Sequence, residues 1–373
     1  MRPSPDPGDD LSSEEESDED VALDAAAPPG WQPIITHTFL VENECHGYRL
    51  DRFLQKRIKR LSRARIQRVI HGDCTVDGRP GKPAMLVYVG QTVRFTRPAP
   101  PEPVVPREVG VLYQDAALYA LDKPAGLPIH PSARYHYSTL TAVLRERFPG
   151  ERLQVGHRLD RETSGVLLVA RTPEAASAIK QSFARRRVDK TYLALAYGLV
   201  SDEEVTVEAP IGPCGGAVRV RMAVRTIEEG GQPARTAFRV LARFPDADLA
   251  DPQRPGRRGL TLLECRPHTG RQHQIRVHLW HLGHPIVGDK LYPDEELFMR
   301  WADDGDDAVR EALPLPRHAL HAARLSFPHP QSGDRLTVLS PLPADLATFL
   351  RGLAPDQDLE LRSLLISDHP TRP

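Results

Sequence analysis

Among the 373 residues of this chain, the group best suited to chemistry is an aspartate set between two arginines, in His157-Arg158-Leu159-Asp160-Arg161-Glu162-Thr163-Ser164-Gly165. Cations within a few Å stabilise a carboxylate and lower its pKa, so Asp160 reads as an ionised nucleophile presented by the turn Thr163-Ser164-Gly165. A structural ion pair closing a loop would look the same from these nine residues alone. Three further segments combine cations, aromatics and turn residues: Leu121-Asp122-Lys123-Pro124-Ala125-Gly126-Leu127-Pro128-Ile129-His130-Pro131, then Lys190-Thr191-Tyr192, and Arg266-Pro267-His268-Thr269-Gly270-Arg271-Gln272-His273-Gln274-Ile275-Arg276-Val277-His278. Singly, they read as a proline turn, a half-buried aromatic and a polar-edged strand. The histidines at 130, 157, 273, 278, 281 and 284 lack the H-E-x-x-H spacing of a zinc site. Cys45, Cys74, Cys214 and Cys265 form no C-x-x-C pair, which fits a reducing compartment. No metal is assigned, and Ser164 lacks the G-x-S-x-G elbow of a serine hydrolase.

The elements that must hold these segments begin near Val109. Strand-like runs at 109–113, 118–121, 166–170, 192–197, 238–241, 260–265 and 275–279 alternate with fewer helical stretches, at 138–148 and 174–187. That mixture predicts an α+β domain over 109–353, built on a mixed, mainly antiparallel sheet with flanking helices. Residues 245–259 read as a surface loop, 293–313 as a charged helical insertion and 354–373 as a C-terminal tail.

The charge is divided. Residues 1–30 hold ten acids against Arg2 alone, so with a total of −1 the remainder carries +8. Residues 1–35 are expected to be a disordered acidic tail. Within 47–97, thirteen Lys and Arg face three acids. Leu50, Phe53, Leu54, Ile58 and Leu61 recur at helical spacing; Ser62 can cap a second helix with apolar Ile66, Val69 and Ile70, ended by a left-handed Gly72. The Asp77-Gly78 turn then predicts a hairpin. This makes 36–98 a small basic αα-β module, joined to the larger domain by a proline-rich linker at 99–108. A body so charged suits a polyanion, and Arg63, Arg65 and Arg68 offer donors to phosphates. No secretory leader and no apolar run of about 18 residues is legible, which points to the cytoplasm.

The module resembles the S4-like RNA-binding domain through "YRLDRFL", "LSRARIQRVIHGDCTVDG" and "VYVGQTVRF". The larger domain resembles the RluA-type pseudouridine synthases over roughly 109–343, through "HRLDRETSG", "TGRQHQIRVH" about a hundred residues later, "GHPIVGD" and "HALHAARLSFPHP". That resemblance implies conversion of uridine in RNA to pseudouridine without a cofactor: the C1′–N1 bond breaks and the uracil rejoins through C5. Asp160 matches the catalytic aspartate, which could add to C1′, assist elimination to a glycal or attack C6 of the base. Arg276 matches its arginine partner, Tyr192 the tyrosine against the base, Ile275 a neighbour beneath it, and Arg158 an arginine that fills the stack when the uridine leaves. Lys123 and Lys190 are read as phosphate or structural contacts. The implied partner is ribosomal RNA of the large (23S) subunit, with tRNA as the other candidate, bound by a monomer. A non-catalytic RNA-binding protein and a glycosidase of free nucleosides compete with this reading. The complete set Asp160, Tyr192 and Arg276 argues against the first, and the basic module and lack of a second placed acid against the second.

Overall fold

The structure, a computed structural model, describes residues 34–58, 63–98, 102–131, 135, 137–215, 218, 220–252, 254, 256–293, 298 and 313–354; for 34, 35, 63–65, 97 and 98 only the backbone is described. The acidic tail to residue 33, Ser62, the end of the C-terminal tail and nearly all of 293–313 therefore lie outside the described residues. The chain divides into two units, Met1–Pro101 and Glu102–Pro373.

In the first unit the strands are β1 (Ile34–Leu40), β2 (Tyr48–Arg49), β3 (Asp73–Val76), β4 (Arg79–Pro80), β5 (Leu86–Val87) and β6 (Thr92–Pro98), with helices α1 (Leu50–Arg57) and α2 (Arg63–His71) between β2 and β3. Leu50, Phe53 and Leu54 of α1 meet Ile66 and Ile70 of α2 over a four-stranded sheet ordered β1-β6-β3-β4, closing a core with Val76, Val93 and Phe95. The apolar spacing of both helices has this cause. The turn between β3 and β4 places Asp77 and Gly78 at φ of 49° and 77°, as a hairpin of that type requires. Gly72 departs from expectation. It is not left-handed; its N–H donates to the Arg68 and Val69 carbonyls, 3.0 and 3.2 Å, and the chain passes straight into β3.

The second unit carries β7 (Gly110–Gln114), β8 (Leu118–Lys123), α3 (Leu140–Arg147), β9 (Gln154–Val155), β10 (Ser164–Ala170), α4 (Pro173–Ala184), β11 (Asp189–Tyr197), β12 (Glu204–Glu208), β13 (Ile211–Pro213), β14 (Met222–Val224), β15 (Arg235–Phe244), β16 (Leu260–Pro267), α5 (Gln274–His281), β17 (Leu320–Pro328), β18 (Arg335–Leu339) and α6 (Ala344–Leu353). Its ten-stranded sheet runs β12-β15-β16-β11-β17-β10-β8-β7, with β18 beside β17 and β9 beside β10. All pairings are antiparallel except β10 with β17, so the sheet is mixed and mainly antiparallel. Strands β8 and β10 are covered on both faces, which explains their unbroken apolar runs. Leu121, Leu167 and Val169 join Leu140, Val143 and Leu144 of α3 in one core, whereas Ala120, Val166 and Leu168 join Ala175, Ala176 and Ile179 of α4 in another. Thr139 and Thr172 cap α3 and α4 through Ala142 and Ala175 N–H groups.

Three expectations for this unit need correction. Residues 275–279 are not a strand but the middle of α5, whose residues 274–279 are all buried. A helix wrapped on every side has no polar face, and the alternation of Ile275, Val277 and Leu279 with polar residues imitates period two. The segment 102–108 is not a free linker: Val105 is buried in the α3 core, and Glu102 accepts the Tyr137 and Ser138 N–H groups. Within the 245–259 loop, Ala247 and Asp251 are buried. No helix among the described residues is long and apolar enough to cross a membrane.

Candidate active site

Asp160 sits in the loop entering β10, where β10 and β17 begin their short parallel pairing. The Thr163 N–H closes the turn on the Asp160 carbonyl at 3.1 Å. Gly165 lies at φ 115°, and a Cβ there would drive into the Ala322 backbone of β17, so only glycine lets the loop and β17 meet. The flanking residues are each tied down. Thr163 Oγ1 shares a hydrogen bond with His318 Nε2 at 2.8 Å, Ser164 Oγ with His321 Nδ1 at 3.0 Å, and Glu162 accepts from Lys290 Nζ at 2.9 Å. His157, whose Nε2 accepts the Leu168 N–H at 3.1 Å, ties the front of the loop to β10.

Facing this loop, α5 delivers Arg276. Its Nη1 donates to Asp160 Oδ2 at 3.0 Å, while Nε and Nη2 clamp Asp289 at 2.7 and 2.9 Å. The guanidinium also lies over the Tyr292 ring, 5.0 Å from its centre. Asp289 is fully buried and further satisfied by the Leu291 N–H at 2.9 Å. Arg276 is thus fixed by one carboxylate and presents its remaining arm to the other, an arrangement in which two anions share one rigid fork. Asp160 keeps 23% exposure against 8% for Arg276, so of the two carboxylates it is the one that faces the cavity. Burial opposes its ionisation, but the charges of His273 and Arg276, the Arg276 hydrogen bond and Arg158 prevail and hold its pKa below the ordinary value. His273 is itself pushed down to about 4, chiefly by burial. Near neutrality its ring is uncharged, and the arginines keep Asp160 ionised.

Two cavities, of about 750 and 510 Å³, adjoin at His157, Arg158, Leu159, Asp160, Gln272, His273 and Arg276. Each has the volume of a nucleotide-sized ligand site. The smaller is walled by Tyr192, Ile275 and Leu320 and rimmed by Lys180, Lys190 and Arg271. A register shift between Thr191 and Tyr192 in the β11–β17 pairing re-aims the strand at that point. Burial, then the field of Asp160, drives the Tyr192 phenol upward, so it stays protonated. Ile275 is largely buried within that wall and Arg158 is exposed at the junction.

The structure therefore gathers Asp160, Arg276, Tyr192, Ile275, Arg158 and Lys190 around one space. Lys190 donates to the Thr269 carbonyl at 2.7 Å, and burial brings its pKa down to about 8. Lys123 is a correction. It is completely buried, and its Nζ donates to the carbonyls of Pro124, Leu127 and Arg161 at 2.9, 2.9 and 3.0 Å, so it cannot reach a phosphate and instead anchors the residue after Asp160. In the first unit Arg68 is exposed on α2, and the side chains of Arg63 and Arg65 lie outside the described residues. Sequence reasoning missed Asp289, His273 and Tyr292 as members of this site. The signal for Asp289 was present in "GHPIVGD", a segment noted for its resemblance but given no role. Among the described residues, no group of three or more His, Cys, Asp and Glu could hold a metal ion.

Comparison with known proteins agrees with this geometry. Residues 117–281 match the family described as RNA pseudouridylate synthase. A ribosomal large subunit pseudouridine synthase D of Xanthomonas campestris pv. campestris is 38% identical over 330 residues, spanning 85% of this chain and 92% of that protein. An uncharacterized RNA pseudouridine synthase of Chloroflexus aurantiacus is 40% identical over 319 residues, spanning 82% and 90%. Among solved structures, human RNA pseudouridylate synthase domain containing 1 is 28% identical with a TM-score of 0.53, over 72% of this chain and 99% of that one. With relatives of this identity matched along nearly their whole length, the chain belongs to the RluA-type family of RNA pseudouridine synthases.

Proposed function

We propose that this enzyme isomerises uridines of large-subunit ribosomal RNA, with Asp160 as the group that acts on the ribose or ring of a flipped-out nucleotide. The observation that carries the reading is the placement of the Asp160 carboxylate, ionised by Arg276, where two nucleotide-sized cavities join. Extruding a uridine costs a few kcal/mol. Stacking on Tyr192 over Ile275 returns roughly 1–3 kcal/mol of it. Arg158, exposed beside the carboxylate, has the planar head needed to fill the vacated stack. Lys190 and Arg271 at the rim serve the flanking phosphates. Ribosomal RNA is favoured over tRNA because the relatives from Xanthomonas, Nitrosomonas and Pseudomonas are named as ribosomal large subunit pseudouridine synthases D.

The first unit, with its amphipathic helix pair and exposed Arg68, acts as an S4-like module that holds structured RNA through phosphates. The enzyme works in the cytoplasm, where a bacterial ribosomal RNA is made, as a monomer whose site draws on one chain. Pseudouridine mapping across total RNA from cells with and without the protein tests the substrate: sites lost in the large-subunit RNA support the reading, and losses confined to tRNA overturn it. Asp160→Asn should fold and bind RNA nearly as the wild type while losing isomerisation. Retained turnover in that variant would remove Asp160 from the chemistry.

A further inference from the structure

His273 is held in a way that the pairing of Asp160 with Arg276 does not require. As the residue before α5 it adopts φ 57° and ψ 18°, a left-handed conformation uncommon outside glycine and of the kind that gathers at functional sites. Its Nδ1 lies 2.8 Å from Tyr292 Oη, and the same oxygen receives the Met222 N–H at 3.4 Å. A phenol that takes the Met222 N–H still has its own proton to give, and its donation to Nδ1 leaves the ring hydrogen on Nε2. That atom lies 3.9 Å from Asp160 Oδ2, too far for a hydrogen bond, has no hydrogen-bond partner among the described residues, and faces both cavities. In that tautomer a neutral Nε2–H donor lies beside the carboxylate, and both groups line the two cavities, where a substrate atom can approach each of them from the open side.

We propose, building on the uridine isomerisation inferred above, that His273 Nε2–H donates to a uracil carbonyl oxygen and stabilises the departing base. When the C1′–N1 bond breaks ahead of any bond to the ring, its electron pair leaves on uracil. C1′ is satisfied by a bond from the Asp160 carboxylate, or by a C1′–C2′ double bond formed as that carboxylate takes the C2′ proton. The charge spreads over N1 and the two carbonyl oxygens. His273 keeps its proton and supplies only the hydrogen bond, as an oxyanion-hole donor does. A neutral donor suits the place, because an imidazolium would compete with Arg276 for Asp160.

The test compares single-turnover isomerisation of a large-subunit ribosomal RNA transcript by the full chain and by His273→Ala, His273→Gln, His273→Asn and Tyr292→Phe. Removing such a donor lowers kcat by roughly 10²–10³; His273→Ala should show that loss with little change in KM. Glutamine places an N–H near the Nε2 position and should restore much of the rate; asparagine tolerates the backbone but places its amide near Nδ1 and should not. Tyr292→Phe keeps the buried ring, frees the tautomer and should slow kcat about tenfold. A transcript made with 5-fluorouridine, whose base departs more readily as an anion, should lose less from His273→Ala than the uridine transcript does, followed by disappearance of 5-fluorouridine from nuclease digests. Equal loss for alanine and glutamine, or the same factor on both transcripts, would assign His273 a structural role and overturn the proposal. Wild-type inactivity on every RNA would instead overturn the underlying function.

Discussion

At the scale of single residues, the site is an electrostatic device of three charges in which Arg276 is the hub. Replacing it with methionine leaves Asp289 buried without its clamp and Asp160 without its field. Breaking a buried pair in this way costs about 3–5 kcal/mol, and the loss should appear in urea unfolding. Arg276→Lys keeps the charge but cannot span both carboxylates, so it should restore part of the stability and little of the turnover. The pH dependence follows from the signs. Asp160 and Asp289 both have folded pKa values below their unfolded ones, so their contribution is complete above the ordinary carboxylate range and is lost as pH falls through the folded values. Activity should stay level from neutrality down to about pH 5, the unperturbed carboxylate pKa being about 3.9. In Arg276→Lys the acid limb should move upward; an unmoved limb would show that Arg276 does not set the charge of Asp160. Asp160 was legible because its neighbours in sequence are cations. Asp289 was not, since its partner is thirteen residues away across a turn, and an isolated Gly-Asp-Lys has no local reason to be buried.

At the scale of elements, the site depends on strands that approach more closely than side chains allow. Gly165→Ala should push β10 off β17, because the new methyl meets the Ala322 backbone and the backbone is already at φ 115°. The expected result is loss of most activity together with at least about 1–3 kcal/mol of stability. Gly150→Ala, at a positive-φ turn with nothing near its Cβ, isolates the conformational part of the effect. Equal losses at the two positions would show that the strand contact carries no special weight. Most strands of the sheet could be read from their apolar runs, and α3 and α4 as the helical stretches at 138–148 and 174–187. The helix that carries Arg276 could not, because total burial erased its polar face. Strands β12 and β18 escaped because each is only five residues long with polar residues at alternate positions, and β17 because His321, Arg324 and Ser326 interrupt its apolar run.

At the scale of the whole molecule, a net charge near zero conceals a strongly acidic N-terminal segment and a strongly basic module, followed in the chain by a catalytic unit with its own cores. Phosphate contacts release counterions, so each adds about 0.9 to the slope of log affinity against log salt on a duplex and about 0.7 on a single strand. If the basic module binds RNA, a chain reduced to residues 102–373 should bind a large-subunit transcript more weakly at low salt and with a slope smaller by several units. Near 1 M salt, where such contacts are screened, the two chains should converge. The shortened enzyme keeps Asp160, Arg276 and Tyr192, so its rate at saturating RNA should change much less than its KM. Filter-binding isotherms at four salt concentrations give both slopes. A shortened chain with the full slope would move the RNA footprint onto the catalytic unit, where Arg158, Lys180, Lys190 and Arg271 at the cavity rim are the cations placed to supply it.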